Sequence, residues 1–240
     1  MCFPNGLKRL KQSRGHAVHS PFAYELITQV FRSPYNFYAF YDIPERLRDH
    51  GIDPRIITPF NHLSFRLVQH LKAWNILEVS PGTGINTLFL MAASTRVSCT
   101  WVKENGNDET ERSIVSLLPR RPRRVVALPA LQEERLVPEK DQFVPEEELL
   151  EPGKEAIVLG EGLFDAIFVN CSNAHLPPID QLLKLGRERA FWVIHSIADE
   201  LGTRYWKQIV HDKRINVTFE GKETGVVFPW NTLTPSHYFF

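Results

Sequence analysis

The segment NILEVSPGTGIN holds residues that could bind a ligand through the backbone. An apolar run that contains Glu78 is followed by Gly82 and Gly84. Glycine permits a turn tight enough for the backbone to approach a nucleotide-type cofactor, and the N–H groups of a following helix would point at that ligand. Ser80 adds a side chain to this turn, and Pro81 fixes φ and removes an N–H. A turn whose glycines are purely structural is the alternative interpretation.

Three polar residues lie at or just after later apolar runs. Asn170 ends the run FDAIFVN, His195 ends RAFWVIH, and His175 lies in the loop after the first run. If both runs are parallel strands, all three residues lie at the carboxyl edge of the sheet, where open α/β folds bind ligands. Either histidine could act as a general base toward a hydroxyl or an amine. Structural histidines, and a turn or capping role for Asn170, are the alternatives.

The elements that must position these residues follow from periodicity. Helices are predicted from Pro21 to Arg32, after a Ser20 N-cap, and from Asn61 to Lys72. The aromatic-rich segment SPYNFYAFYDI between them is expected to pack against the rest of the protein. Beyond Trp74, strands and helices alternate, which predicts βαβ units and a mostly parallel sheet. Near the C-terminus, the runs INVTF and GVVF predict an antiparallel hairpin.

The predicted strands and helices after Trp74 can be stated by residue range. The strands are 75–79, 97–102, 124–128, 164–171 and 189–196, and the helices are 87–93, 109–118, 179–185 and 199–210. The acidic, proline-containing segment 131–154 is predicted to be an exposed insertion.

Composition limits the kinds of partner. The 240 residues suit one globular unit, and 28 lysines and arginines balance 28 aspartates and glutamates. Net charge therefore does not favour nucleic acid or an anionic membrane, and any partner must be recognised by a local site. Three cysteines without a CxxC pair indicate reduced thiols in a cytoplasmic protein. No apolar stretch is long enough to span a bilayer.

The loop ILEVSPGTGINT, the order of the later strands and the terminal hairpin together resemble class I S-adenosylmethionine-dependent methyltransferases. The segment RGHAVHSPFAYEL also resembles the start of a bacterial subgroup of these proteins that carries an N-terminal HSPF segment. The resemblance implies an α/β, Rossmann-like fold whose mostly parallel sheet ends in an antiparallel hairpin. Together with the helices predicted before Trp74, it indicates a helical N-terminal extension, 1–72, packed on a methyltransferase domain, 73–240.

The resemblance further implies S-adenosylmethionine as cofactor and assigns residues to it. The family pattern is an acidic residue followed by three glycines at alternate positions, and it is matched by Glu78, Ser80, Gly82 and Gly84. An acidic residue at the end of the second strand should accept hydrogen bonds from the ribose hydroxyls. Lys103 lies at that position here, and a lysine cannot accept a hydrogen bond, so Glu104 is the expected ribose ligand.

Methyltransferases of this kind that use a metal place an aspartate after the fourth strand and further ligands after the fifth. Asn170 occupies the first place here, and VIHSIAD lacks the paired acids. Since Mg²⁺ normally requires at least one or two carboxylates, no catalytic metal is predicted.

Two main hypotheses of function follow. The first is an enzyme that transfers a methyl group to a small-molecule oxygen or nitrogen acceptor by in-line displacement. Such a reaction depends mostly on positioning, so it needs no conspicuous catalytic residue. The second is a catalytically degenerate methyltransferase-like protein that acts in binding or scaffolding, which the departures at Ser80, Pro81, Lys103 and Asn170 favour. A nucleotide-binding dehydrogenase is a third hypothesis, which the terminal hairpin disfavours.

Overall fold

The computed structural model describes residues 12, 15–16, 18–103, 109–125, 162–172 and 176–240. Within these residues, eight strands form one sheet in the order β3-β2-β1-β4-β5-β7-β6-β8. The strands are β1 (Asn75–Val79), β2 (Ser98–Val102), β3 (Arg123–Val125), β4 (Phe164–Asn170), β5 (Gly186–His195), β6 (Val217–Glu220), β7 (Thr224–Phe228) and β8 (Ser236–Phe239). All neighbouring strands pair in parallel except β7, which is antiparallel to both β5 and β6. The predicted fold is confirmed.

Helices cover both faces of this sheet. They are α1 (Pro21–Glu25), which continues as a π-helix (Leu26–Phe31), α2 (Ala39–Asp49), α3 (Pro59–Leu71), α4 (Ile85–Ala92), α5 (Glu109–Leu117), α6 (Ile179–Leu185) and α7 (Glu200–His211), with a 3₁₀ turn at Pro54–Ile56. Helices α1, α3 and α4 pack on one face, and α6 and α7 pack on the other. None of the helices in the described part of the chain is long and apolar enough to cross a membrane.

The alternation of side chains in β4 explains its continuous apolar run. Ala166 and Phe168 point into the core under α1, α3 and α4, whereas Ile167 and Val169 point into the core under α6 and α7. A strand that is buried on both faces is apolar where both layers cover it. The two helical layers therefore explain the apolar residues 166–169 at the centre of this strand.

The segment HSPF has a structural role at the start of α1. Ser20 Oγ accepts a hydrogen bond from the N–H of Ala23, and Pro21 takes the first helical position, as predicted. Phe22 packs edge-on against Phe228 of β7, with ring centroids 5.0 Å apart. This motif therefore begins the first helix and fastens it to the C-terminal hairpin.

The second predicted helix is present as α3 but begins earlier than expected. Thr58 and Asn61 form a capping box, and Pro59 occupies the first helical position. Helix α2 was not predicted, because Pro44 lies inside it and the aromatic residues around it conceal its period. Its buried residues, Phe40, Ile43 and Leu47, pack with α4 and α5.

Strand β8 was not predicted from the sequence either. It pairs in parallel with β6 and so extends the sheet beyond the predicted hairpin. Tyr238 stacks on Phe219 at 5.2 Å between ring centroids, and Phe240 stacks on Phe31 at 4.0 Å. A strand of four residues after a proline gives too short a pattern for sequence periodicity to detect.

Two of the three cysteines lie in the described part of the chain. Cys99 and Cys171 are buried and free, as predicted. Burial raises the pKa of the Cys171 thiol to about 12 and also raises that of Cys99. Both thiols are therefore unreactive at neutral pH. Cys2 and the predicted insertion at 131–154 lie outside the described residues.

Candidate functional site

The carboxyl ends of β1, β2, β4 and β5 meet at one edge of the sheet, which is where open α/β folds bind ligands. The structure places Ser80 after β1, Lys103 after β2, and Asn170 and His195 at the ends of β4 and β5. Asn170 and His195 are register partners on neighbouring strands. Glu104 and His175 lie outside the described residues.

The loop after β1 adopts the left-handed backbone conformation at three alternate residues. The φ angles are 57° at Ser80, 62° at Gly82 and 84° at Gly84. The N–H of Ser80 donates to Val102 O at 3.0 Å, which ties the loop to the end of β2. Ser80 therefore adopts the conformation that a glycine would favour, although for an L-residue this costs roughly 1–2 kcal/mol.

The two glycines of this loop face different surroundings. A Cβ atom added to Gly82 would meet nothing within 4 Å, whereas one on Gly84 would lie 2.8 Å from Cη2 of Trp101. The indole of Trp101, which is fully buried, thus packs directly against the backbone of Gly84. The space beside Gly82 is open, and the space beside Gly84 is filled.

Glu78 lies beneath the loop, and both of its carboxylate oxygens accept hydrogen bonds from other side chains of the protein. Its Oε1 accepts a hydrogen bond from Asn86 Nδ2 at 3.0 Å. Its Oε2 accepts from Thr87 Oγ1 at 2.6 Å and from Trp101 Nε1 at 3.1 Å. Burial raises the pKa of the Glu78 carboxyl, and the hydrogen bonds from Thr87, Asn86 and Trp101 oppose that rise. The carboxylate joins β1, α4 and β2 at the base of the loop.

The same hydrogen-bond network reaches the N-terminal helices. Asn61 Nδ2 donates to Asn86 Oδ1 at 3.2 Å, and Asn61 Oδ1 accepts from the N–H of Thr58 at 2.8 Å. Asn61 is 2% exposed and Asn86 is 6% exposed, so this polar contact lies inside the core. The start of α3 and the start of α4 are thereby fixed relative to each other.

Lys103 lies at the position expected of the ribose-binding acid. Its Nζ donates to Gly82 O at 3.0 Å and forms a short ion pair with Glu111 of α5. The Glu111 side chain is nearly buried and compensates the lysine charge. Lys103 therefore braces the glycine loop from the neighbouring strand.

Two serines that the sequence analysis did not single out join Asn170 at the ends of β4 and β5. Asn170 Oδ1 accepts from the N–H of Ser172 at 3.2 Å and from Ser196 Oγ at 3.4 Å. The two serine hydroxyls lie 3.0 Å apart. Ser196 has a φ of 62°, so it is strained in the same way as Ser80. The only sequence signal was a serine soon after the end of each of two neighbouring strands.

His195 is held in one orientation beside this group. Its ring stacks on Phe60 with centroids 4.0 Å apart, and Nδ1 lies 3.3 Å from Thr224 Oγ1. Burial lowers the pKa of His195, while Glu223 and Asp199 oppose this effect. The imidazole is therefore predominantly neutral at pH 7 and is able to accept a proton. Phe60 belongs to α3, so the N-terminal part of the chain contributes directly to this edge.

The donor set of the edge bears on the question of a metal. Asn170, Ser172 and Ser196 offer neutral oxygens only. Within the described ranges, no group of three or more histidine, cysteine, aspartate or glutamate residues could hold a metal ion.

This architecture is also found in proteins of known structure. A methyltransferase from Geobacter sulfurreducens has a TM-score of 0.52 and 12% identity, over 82% of this chain and 91% of that chain. Cofactor-bound Rv0187 from MTB has a TM-score of 0.51 and 12% identity, over 82% of this chain and 92% of that chain. SAH-bound Podospora anserina methyltransferase PaMTH1 has a TM-score of 0.50 and 12% identity, over 80% of this chain and 88% of that chain.

These similarities establish a class I methyltransferase fold, and at this level of identity they concern the fold alone. Neither the comparison with models of protein families nor the comparison with curated protein sequences gives a match.

Proposed function

We propose that the protein is an S-adenosylmethionine-dependent methyltransferase that acts on a small-molecule oxygen or nitrogen acceptor. The observation that carries this proposal is the loop after β1, whose three alternate left-handed residues leave open space beside Gly82 at the carboxyl edge. The similar fold of the Podospora anserina methyltransferase PaMTH1, whose structure contains bound SAH, supports the choice of ligand. The HSPF segment at the start of α1 supports placement in the bacterial subgroup.

The residues present fit this cofactor at one part of the loop. Gly82 leaves room for a ligand to approach the backbone, and α4 begins directly after Gly84, so its first N–H groups lie close by. When bound, S-adenosylmethionine supplies an electrophilic methyl group that an acceptor takes by in-line displacement from the sulfonium. We infer that Glu78 positions the loop through its network instead of reaching the ligand, since it is 1% exposed.

The acceptor side is assigned to the ends of β4 and β5. His195 would take the proton of a hydroxyl or amine acceptor, because its imidazole is predominantly neutral and is oriented by Phe60 and Thr224. The Ser172 and Ser196 hydroxyls would hold a polar group of the acceptor. Glu104, one residue beyond Lys103, remains the proposed ligand of the ribose hydroxyls.

A second candidate function is a methyltransferase-like protein that has lost catalysis and acts in binding or scaffolding. Three observations favour it: Trp101 fills the space beside Gly84, the carboxylate of Glu78 is consumed internally, and Lys103 donates to Gly82 O. Each of these reduces the polar surface that a cofactor could contact.

Methyl transfer separates the two candidates. The protein would be incubated with S-adenosylmethionine carrying an isotopically labelled methyl group and with a panel of phenols, catechols and amines, and label in the acceptor would be measured. The proposal predicts transfer that falls at least 100-fold in His195→Gln, as expected for loss of a general base. Cofactor binding without transfer to any acceptor would favour the binding protein.

A further inference from the structure

A cavity of about 260 Å³ lies at the amino edge of the sheet, opposite the loop after β1. Lys72 and Ala73, just before β1, border it together with Arg187 and Arg189 at the start of β5. Trp230, which follows β7, lines it as well. Because β7 runs antiparallel to β5, its end lies at the same edge as the start of β5. The cavity is thus separate from the proposed cofactor site by the length of the strands.

The charges around the cavity do not cancel. Asp165 is the acidic residue in the lining, and its Oδ2 accepts the N–H groups of Trp74 and Asn75, both at 2.8 Å. Its Oδ1 pairs with Arg187 at 2.6 Å. Arg187 and Asp165 therefore neutralise each other, whereas the side chains of Lys72 and Arg189 have no hydrogen-bond or ion-pair partner among the residues that the structure describes. Two positive charges remain to face a ligand.

Lys72 occupies a backbone position at which a glycine would be expected. It ends α3 with a φ of 55°, which is the left-handed conformation that helix ends usually assign to glycine. A non-glycine residue there is strained, and such residues tend to cluster at functional sites. The chain thus keeps a lysine side chain in the cavity lining at a position where glycine would suit the backbone better.

The opposite wall is made by an irregularity in β5. Phe164 pairs with Gly186 and Ala166 with Phe191, so four residues of β5 lie across from one residue of β4. Such an irregularity in strand pairing bends the strand and redirects its side chains. Here the bulge contains Arg187 and Arg189.

Trp230 gives the cavity a rigid aromatic wall. Its Nε1 donates to Ala190 O, inside the bulge, at 2.7 Å. Its ring also packs against Phe22 and Phe228, with centroids 5.2 Å and 5.1 Å away. The indole is therefore fixed before any ligand arrives, which reduces the entropic cost of binding.

We propose that this cavity binds a small organic anion that has a planar, apolar body and a carboxylate or phosphate group. Lys72 and Arg189 hold the anionic group, because both are charged and unpaired within the described residues. The planar body lies against the Trp230 indole and the apolar side chains of Leu71 and Phe191. This site is independent of the proposed methyl transfer.

Calorimetric titration of the full chain with four probes tests this proposal. Phenyl phosphate and phenylacetate carry both parts of the ligand, inorganic phosphate carries the charge alone, and phenol carries the ring alone. We expect saturable binding of phenyl phosphate, phenylacetate or both, at least tenfold tighter than that of inorganic phosphate or phenol. Comparison of the two complete probes identifies the preferred anionic group.

Two variants locate the binding. Lys72→Gly and Arg189→Ala should each weaken the affinity for the complete probe at least tenfold, as expected for a lost charge-assisted hydrogen bond. Lys72→Gly also relieves the left-handed strain, so its melting temperature should be equal to or above that of the unmodified chain, and weakened binding would not reflect unfolding. Lys207→Ala, on the exposed side of α7, is the matched control and should bind normally.

Absence of saturable binding by both complete probes at millimolar concentration would overturn the proposal. Binding that neither Lys72→Gly nor Arg189→Ala weakens would do the same, because the anion would then lie elsewhere.

Discussion

At the scale of residues, the loop after β1 shows how one fold can tolerate a departure from a sequence pattern. Ser80 takes the same left-handed backbone region as Gly82 and Gly84. Its conformation is held by the hydrogen bond from its N–H to Val102 O. A serine thus takes a backbone conformation that glycine adopts more easily, at a cost in strain.

Ser80→Gly should therefore stabilise the protein by about 1 kcal/mol, because glycine adopts a positive φ without the steric penalty of a side chain. The free energy of unfolding would be measured by urea denaturation. Ser80→Ala is the control, since alanine keeps the strain and should give no gain. Equal stability of the glycine and alanine variants would show that the left-handed conformation is not strained at this residue.

Glu78 illustrates a buried acid with a structural role. Glu78→Ala leaves the donors of Asn86, Thr87 and Trp101 without their acceptor and should cost about 2–3 kcal/mol of stability. Glu78→Gln keeps an oxygen for Asn86 and should cost less than the alanine variant. Both free energies of unfolding would be measured by denaturation at constant pH.

The same residue predicts a pH dependence. Burial raises the folded-state pKa of Glu78 above its ordinary value. The Glu78 carboxyl therefore contributes its full stabilisation below about pH 4.5, and this stabilisation is lost as pH rises through the folded-state pKa. Relative to the unmodified protein, Glu78→Gln should gain stability as pH increases from 5 to 8, since glutamine does not ionise. A difference that stays constant over this range would contradict the burial of an ionisable carboxyl.

At the scale of elements, α7 packs closely against the C-terminal hairpin at a glycine. Gly225 of β7 pairs with Ile194 and Glu220, and a Cβ added to it would lie 2.2 Å from Cζ3 of Trp206. The indole of Trp206 cannot move aside easily, because its Nε1 donates to Glu220 Oε2 at 2.9 Å. The absence of a side chain at Gly225 therefore allows α7 to pack closely on the sheet.

Gly225→Ala should destabilise the protein by about 1–3 kcal/mol through overpacking. The clash is with one ring, so Trp206→Leu should make the alanine less harmful in the double variant. Unfolding free energies of the two single variants and the double variant form a thermodynamic cycle. We expect an interaction energy of at least about 0.5 kcal/mol, and strict additivity would show that Trp206 is not the obstacle.

The sequence predicted most elements because their patterns are local. The apolar run of β4 indicates a buried strand within a few residues, and Ser20–Pro21 indicates the start of α1 in the same way. Strand β8 has only four residues, and Pro44 interrupts α2, so neither gives a clear period. Their positions depend on contacts with distant parts of the chain.

The candidate site was predictable only in part for the same reason. The glycine positions of the loop are visible in the sequence, and so are Asn170 and His195 at strand ends. The burial of Glu78 against Trp101 is not visible, because these residues meet only through the pairing of β1 with β2. The Ser172–Ser196 contact likewise depends on the pairing of neighbouring strands.

At the scale of the whole molecule, the N-terminal helices and the sheet share one core. Leu26 and Leu67 belong to the same buried cluster as Ile76 of β1 and Phe228 of β7. Phe60 reaches the carboxyl edge, and Asn61 reaches the network beneath the loop. We propose that residues 1–72 form an extension that completes the site of the methyltransferase domain, 73–240.

Calorimetric titration with S-adenosylmethionine and its demethylated product tests the central claim most directly. We predict micromolar binding of at least one of them, abolished in Gly82→Trp, since the indole would occupy the open space beside the loop. Gly51→Trp is the matched control, because Gly51 also has a positive φ and open surroundings but follows α2. Its binding should be unchanged. No heat and no thermal shift with either ligand at millimolar concentration would contradict the assignment of this loop as a cofactor site.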